Sequence, residues 1–229
     1  MFRYLPAEIR EFCYYRFLWK ASFPEIIHIE NTNACNANCL ICAREKMTRP
    51  VGFMDFSLFK RIIDECAVHR AGIREVHLHG YGEPLLDRMI FEKIRYAKNK
   101  GIKNVYFVTN ASLLNSATAG ALISAGLDRI KFSFYGMTKE TYEKIHVGLK
   151  FEEAEENVRN FLTIREQEKS RRPSVNIQFV PHNDNLKEKD IFFNKWGKLI
   201  DRKNGDCIEE FYLHNWVYGR DYNPKRKED

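Results

Sequence analysis

From Glu25 onward, short β-branched or aromatic runs alternate with longer helical patterns, and this rhythm limits the available folds more than any other feature. Strands are expected at Ile26–Glu30, Glu75–His79, Asn104–Val108, Arg129–Phe134, Val175–Val180 and Glu209–Leu213. Helical patterns fall between them, over Ser57–Val68, Leu85–Lys98, Ser112–Ala125, Lys139–His146, Glu152–Gln167 and Leu186–Leu199. Gly72, Gly101 and Gly126 sit just before the next strand, where helices are usually stopped. Repeating βα units build a parallel sheet. About six strands make an incomplete barrel rather than a closed eight-stranded one. The expected class is therefore α/β: a partial (β/α)6 TIM-like barrel of parallel strands over residues 25–215. Residues 1–24, rich in aromatics and arginine, are expected to form an N-terminal helical extension, and residues 216–229 a charged C-terminal tail.

The strands carry a second message. Parallel strands covered on both faces read as nearly continuous apolar runs, but several here alternate. Successive side chains point to opposite faces of a sheet. If the apolar parity packs on the helices, then His77, His79, Lys131, Ser133, Asn176, Gln178, Glu210, Tyr212 and His214 face the barrel lumen. Buried polar groups need partners, so a lumen of this kind suits a wet cavity for a polar ligand.

Composition excludes several classes. The 229 residues are 44% hydrophobic and 30% charged, with a net charge of +6, which describes an ordinary globular surface and no nucleic-acid module. No apolar run approaches the ~20 residues of a transmembrane segment. No secretory signal pattern opens the sequence, so a cytoplasmic location is expected. The six cysteines are three clustered and three scattered, Cys13, Cys66 and Cys207. That is a poor disulfide framework and a good metal-site pattern for a reducing compartment, with the lone three expected as small buried hydrophobes.

The clustered three are Cys35, Cys39 and Cys42, spaced C-x3-C-x2-C directly after the first strand. Three thiolates on one short loop can hold three corners of a cubane iron–sulfur cluster. No fourth cysteine lies nearby, which leaves one iron open to a non-protein ligand. Zinc is the competing reading, with His28 as a fourth ligand, although paired C-x2-C knuckles are absent. The active face of a βα barrel lies at the C-terminal ends of its strands, where this loop falls. The flanking Asn31, Asn33, Asn36 and Asn38 can shape turns and donate to sulfur. Arg44 is either a solvent-facing charge or a tuning one.

Three further motifs end later strands. His79-Gly80-Tyr81-Gly82-Glu83-Pro84 enters a helix; Val108-Thr109-Asn110 ends the third strand; Lys131-Phe132-Ser133-Phe134-Tyr135-Gly136 precedes Thr138, a natural helix N-cap. Gly82 permits close approach to the backbone.

Together these elements resemble the radical S-adenosylmethionine (SAM) superfamily over about residues 25–215. The resemblance implies that Cys35, Cys39 and Cys42 ligate a [4Fe–4S] cluster whose open iron chelates SAM. It implies that Gly82 and Glu83 hold the amino group of SAM, with Asn110 at the neighbouring strand end. Ser133 would contact the ribose, and Gln178 or Asn176 the SAM carboxylate or the substrate. The reaction it implies is reductive SAM cleavage to a 5′-deoxyadenosyl radical that abstracts hydrogen from a polar substrate: a peptide, sugar or nucleoside. An electron donor such as flavodoxin or ferredoxin would supply the electron. Tyr81 and Ala111 stand where the family often has glycine.

The segment from Tyr142 to Arg159 looks most like family members carrying a C-terminal SPASM or twitch extension, and His214-Asn215-Trp216 resembles the approach to it. No cysteine follows Cys207, so auxiliary clusters are not expected within this sequence. A glycyl-radical activating enzyme acting on a protein partner is a second reading. A catalytically silent SAM or iron–sulfur binding scaffold, or a piece of a longer SPASM protein, is a third.

Overall fold

The structure is a computed structural model describing residues 23–212. Its six strands are β1 (Ile26–His28), β2 (Glu75–His77), β3 (Val105–Thr109), β4 (Arg129–Ser133), β5 (Ser174–Phe179) and β6 (Cys207–Glu210). They lie in strict chain order in one all-parallel sheet. The connecting helices are α1 (Phe56–Val68), α2 (Ile90–Asn99), α3 (Ser116–Ala125), α4 (Lys139–Ile145), α5 (Phe151–Gln167) and α6 (Lys189–Gly197). This is the expected partial (β/α)6 barrel. The N-terminal extension, Cys13, His214 and the C-terminal tail lie outside the described residues.

Register separates the two faces of the sheet. Ile27, Val76 and Val105 align, as do Phe107, Ile130 and Val175, and these side chains meet the helices. Phe132 meets Phe161 of α5 edge-on, ring centroids 5.7 Å apart, and Phe179 packs at 4.9 Å on Phe192 of α6. Each such buried ring contributes about 1.5–3 kcal/mol. The opposite parity aligns Lys131 with Asn176, and Ser133 with Gln178, on the lumen side.

Three helices begin later than their apolar patterns suggest, and at the first two a polar side chain organises the entry. Leu85 belongs to a single 3-10 turn, Pro84–Leu86, after which the Asp87 carboxylate accepts the Met89 N–H at 2.9 Å and α2 starts at Ile90. Asn115 caps α3 by accepting the Thr118 N–H at 2.9 Å, so residues 112–115 stay outside the helix. Leu186–Glu188 is another 3-10 turn before α6. Thr138 caps α4 as expected.

The reading of the last strand needs correction. β6 is Cys207–Glu210, and its lumen-facing carboxylate is Glu209, paired with Lys131. Glu210 faces the helical layer, where Lys189 of α6 takes it at 2.6 Å. Tyr212 lies beyond the strand, its hydroxyl on Glu210 at 2.7 Å. Neither is therefore a lumen residue of the sheet. Among the lone cysteines, Cys66 is buried in the core, whereas Cys207 is half-buried beside Asn176.

Candidate functional site

The cysteine loop leaves the C-terminal end of β1 and is anchored on four sides. On its entry side, Thr32 donates its hydroxyl to Gly52 O at 2.8 Å, and Asn33 accepts the Gly52 N–H at 2.7 Å. On the β2 side, Glu83 N–H donates to Ala34 O at 2.8 Å. On the β3 side, Asn36 donates to Ser112 at 2.8 Å and accepts from Asn110 at 3.0 Å. On the fourth side, Asn38 and Leu40 donate backbone N–H groups to Val147 O and Ile145 O at 2.8 and 2.9 Å. A loop carrying this many backbone partners holds its thiols in one arrangement.

Cys35, Cys39 and Cys42 are all half-buried free thiols on this loop. Burial, then the neighbouring charges of Cys42 and Cys35, push Cys39 up to about 12. Burial also raises Cys35 and Cys42. Thiols held protonated chiefly by burial, with Cys42 and Cys35 further opposing the ionisation of Cys39, fit a cationic centre, whose charge would favour the thiolates. A cleft of about 310 Å³ opens beside them, lined by Asn38, Cys39, Cys42, Arg44 and Glu45. The guanidinium of Arg44 donates to Ala37 O at 2.8 Å and to Asn38, and its charge favours the thiolates. Arg44 is thus tied into the loop.

The asparagine side chains do not donate to the cysteine sulfurs. Asn33 donates to Pro50 O at 2.9 Å and to the Met47 sulfur at 3.4 Å, and Asn31 to Asp87 at 3.2 Å. The cysteine sulfurs are met instead by the Arg44 N–H on Cys42 at 3.4 Å and by His146 Nδ1 at 3.3 Å from Cys39. Sequence reasoning missed His146, which comes 107 residues after its partner.

Glu83 is 2% exposed, and burial pushes its carboxyl upward against the pull of its donors, Asn110, Thr109 and Leu85. It accepts from Asn110 N–H at 2.9 Å, Thr109 Oγ1 at 2.7 Å and Leu85 N–H at 3.1 Å. An ionised carboxylate offers about four acceptor directions, so one stays free for a further donor. Gly82 is required by the protein's own chain: a Cβ there would collide with the carbonyls of Thr32 and Ala34. The Gly82–Glu83 turn and the cysteine loop are therefore in direct backbone contact. Asn110 is buried, its side chain shared by Asn36 and Ser112. Ala111 takes the expected glycine position with φ +63°.

Ser133 is half-buried on the lumen face, where its hydroxyl bonds Tyr135. Gln178 donates to Glu209 at 3.4 Å, and Glu209 also pairs with Lys131. The Asn176 Oδ1 is buried with no protein partner. His77 and His79 are also on this side, beside His28: burial drives His77 down to about 4 and His79 down to about 3, so both rings are neutral at pH 7. His28 stands with these two histidines. A further cleft of about 650 Å³ lies between α5 and residues 199–204, lined by residues such as Arg159, Lys169 and Lys203. It sits at the opposite end of the strands from the cysteines.

A second buried group supports the loop from below. Lys93 of α2 is fully buried, donating to Asp87 at 2.6 Å and to Met54 O at 2.8 Å. Asp87 in turn accepts from Asn31 at the exit of β1.

Fold and site together define a partial α/β-barrel protein organised around a three-thiol loop at the active face of its sheet. The sequence model of the Radical SAM superfamily matches residues 29–166, more than half of the chain. The chain belongs to the radical SAM superfamily, whose members use a [4Fe–4S] cluster and SAM.

The chain is 34% identical over 120 residues to a probable GTP 3′,8-cyclase of Methanothermobacter thermautotrophicus, covering 52% of this chain and 38% of that protein. It is 25% identical over 166 residues to the tungsten-containing aldehyde ferredoxin oxidoreductase cofactor-modifying protein of Pyrococcus furiosus, covering 71% and 45%. Among solved structures, Streptococcus suis SuiB bound to S-adenosylmethionine superposes with a TM-score of 0.68 at 16% identity, covering 97% of this chain and 48% of that one. The structure of anSMEcpe with bound AdoMet gives 0.59 at 18% identity, covering 82% and 51%. The chain thus spans less than half the length of these curated relatives. No helix among the described residues is long and apolar enough to cross a membrane.

Proposed function

We propose that this chain carries the core of a radical SAM enzyme, with Cys35, Cys39 and Cys42 as the protein ligands of a [4Fe–4S] cluster. The observation that carries this reading is the three-thiol loop, anchored to the ends of β2 and β3 and to the segment after α4, at the rim of a polar lumen. Such a cluster supplies, when bound, the electron that cleaves SAM to methionine and a 5′-deoxyadenosyl radical able to take hydrogen from substrate.

The remaining roles belong to the chain. Gly82 and Glu83 present a backbone edge and one free carboxylate direction to the SAM amine. Asn110 acts through Asn36 and Ser112 to hold the cysteine loop. Ser133 is within the lumen for a ribose hydroxyl, and Gln178 and Asn176 offer amides to a carboxylate or to substrate. Lys131, Glu209 and the unpartnered Asn176 oxygen favour a polar substrate, in keeping with likeness to proteins named for a nucleotide reaction. An electron donor such as flavodoxin or ferredoxin and a reducing, cytoplasmic setting complete the proposal. The core unit is taken as residues 25–215.

The test is anaerobic reconstitution followed by iron and sulfide counting, reduction with dithionite, and addition of SAM. About four irons per chain with 5′-deoxyadenosine formed, both lost when the three cysteines become alanine, is the expected result. A full cluster without deoxyadenosine would leave a binding module, and zinc bound in its place would remove the radical reading.

A further inference from the structure

The lumen holds a second constellation that the cysteine site does not use. His28 on β1 and His77 on β2 are register partners, and His79 follows two residues further along the same face. One donor nitrogen from each of the three lies within 4.8 Å of the others. Ring centroids are 4.1 Å apart for His28 and His77, 5.8 Å for His28 and His79, and 5.6 Å for His77 and His79. The Tyr106 ring walls the cluster, 4.1 Å from His77 and 5.3 Å from His79.

The hydrogen bonds around His77 orient it as a ligand. Its Nε2 lies 2.8 Å from Glu75 Oε2, while the other oxygen of Glu75 meets Arg129 at 3.0 Å. An ionised, arginine-paired carboxylate accepts, so Nε2 carries the proton and Nδ1 presents a lone pair. His77 is 5% exposed, and its Nδ1 is buried with no protein partner. The Nδ1 of His79 is likewise buried and unpartnered. A histidine held at one nitrogen by a carboxylate and free at the other is the arrangement found in zinc sites. A purely structural cluster leaves both orphans uncompensated, whereas a cation satisfies them.

We propose that His28, His77 and His79 form a second metal site, which takes one divalent transition ion of the zinc type and is separate from the cysteine loop. Three imidazoles without a ligating carboxylate suit Zn²⁺, Co²⁺ or Ni²⁺ and disfavour Mg²⁺ and Ca²⁺. Tetrahedral Zn–N bonds of about 2.0–2.1 Å put ligand nitrogens ~3.3 Å apart. Closing from the present spacing, within 4.8 Å, requires the side chains to adjust, and the exposed His28 is the freest of the three to move. Three protein ligands leave one coordination position to the lumen for water or a substrate oxygen or nitrogen. The site itself does not depend on the radical SAM chemistry proposed above.

The test uses the full chain with its cluster reconstituted, so that the cysteines are occupied. The protein is equilibrated with Zn²⁺, desalted, and assayed for zinc and iron, with zinc-edge X-ray absorption to identify the neighbouring atoms. About one Zn²⁺ per chain with nitrogen and oxygen neighbours and no sulfur is expected. His28→Ala, at an exposed position, should weaken Zn²⁺ binding at least about tenfold while leaving iron content intact, and Glu75→Gln should weaken it about 10–100-fold. His77→Ala should abolish it. Zinc absent after desalting, a sulfur shell around it, or unchanged affinity in His28→Ala would overturn the site. Iron counts report separately on the cysteine loop, so failure of one site is not read as failure of the other.

Discussion

His146 Nδ1 stands 3.3 Å from the sulfur of Cys39, and the other ring nitrogen of His146 accepts the Tyr135 backbone N–H at 3.4 Å. That second contact fixes the tautomer: Nε2 is the acceptor, so Nδ1 carries the hydrogen toward sulfur. Burial drives the imidazole down to about 3, so it acts as a neutral donor. Hydrogen bonds to cluster sulfurs raise reduction potential. His146→Phe keeps an aromatic ring against Tyr135 and Tyr142 but removes the donor. The reconstituted variant should hold its iron yet show a lower midpoint potential in an EPR-monitored titration. An unchanged potential would make His146 a packing residue.

Glu83→Gln tests whether the buried carboxylate organises the rim. The amide replaces one acceptor oxygen with a donor facing N–H or O–H groups, so about 1–3 kcal/mol of stability should be lost. SAM affinity of the reconstituted protein should fall with it, read by equilibrium dialysis. Full SAM affinity in a destabilised protein would confine Glu83 to a structural role.

The Lys93–Asp87 pair should behave as a buried ion pair. Lys93→Met leaves Asp87 ionised and half-satisfied, costing about 3–5 kcal/mol in denaturant unfolding. Lys93→Met combined with Asp87→Asn should recover part of that loss. If the single variant unfolds like wild type, the pair does not support the loop.

Ala111 carries a methyl group in the left-handed region, a conformation costing about 1–2 kcal/mol for an L-residue. Ala111→Gly relieves this cost but removes a buried methyl worth about 0.8 kcal/mol. Net stability should stay within about 1 kcal/mol of wild type. Ala111→Val, β-branched in the same conformation, should destabilise by about 2 kcal/mol or more. Thermal unfolding of both separates backbone strain from side-chain packing.

Glu155 gives a pH signature. Partial burial opposes its ionisation, but Lys195 at 2.5 Å and Arg159 at 2.9 Å hold its carboxyl below the usual value. A depressed folded value means stability is present above the unfolded value and lost as pH falls through the folded one. Glu155→Gln should therefore flatten the acid limb of the stability curve by under about 1 kcal/mol, since the pair is partly solvated. An unchanged acid limb would show that the pair is already screened.

The βα rhythm, the strand positions and the cysteine spacing were legible because each is a local pattern with its own physical period. The lumen face of β4 and β5 followed from alternation alone. β6 did not, because Cys207-Ile208-Glu209-Glu210 carries adjacent carboxylates and each parity finds a lysine: Lys131 for Glu209, Lys189 for Glu210. Asp87 hid the start of α2, since its role depends on Lys93 and Asn31. His146 was invisible as a site residue because nothing near it in sequence marks the distant cysteine. The asparagines were read as sulfur donors from proximity, but loop closure claimed their amides first.

The anchoring of Asn38 and Leu40 to Val147 and Ile145 also sets an order in time. A ribosome delivers the three thiols long before it delivers the segment that braces them, and His146 emerges 107 residues after Cys39. The nascent loop therefore waits, unsupported on that side, through the synthesis of β2, β3 and β4. Whatever occupies those thiols in the finished protein meets a completed cradle only late in the chain's biogenesis.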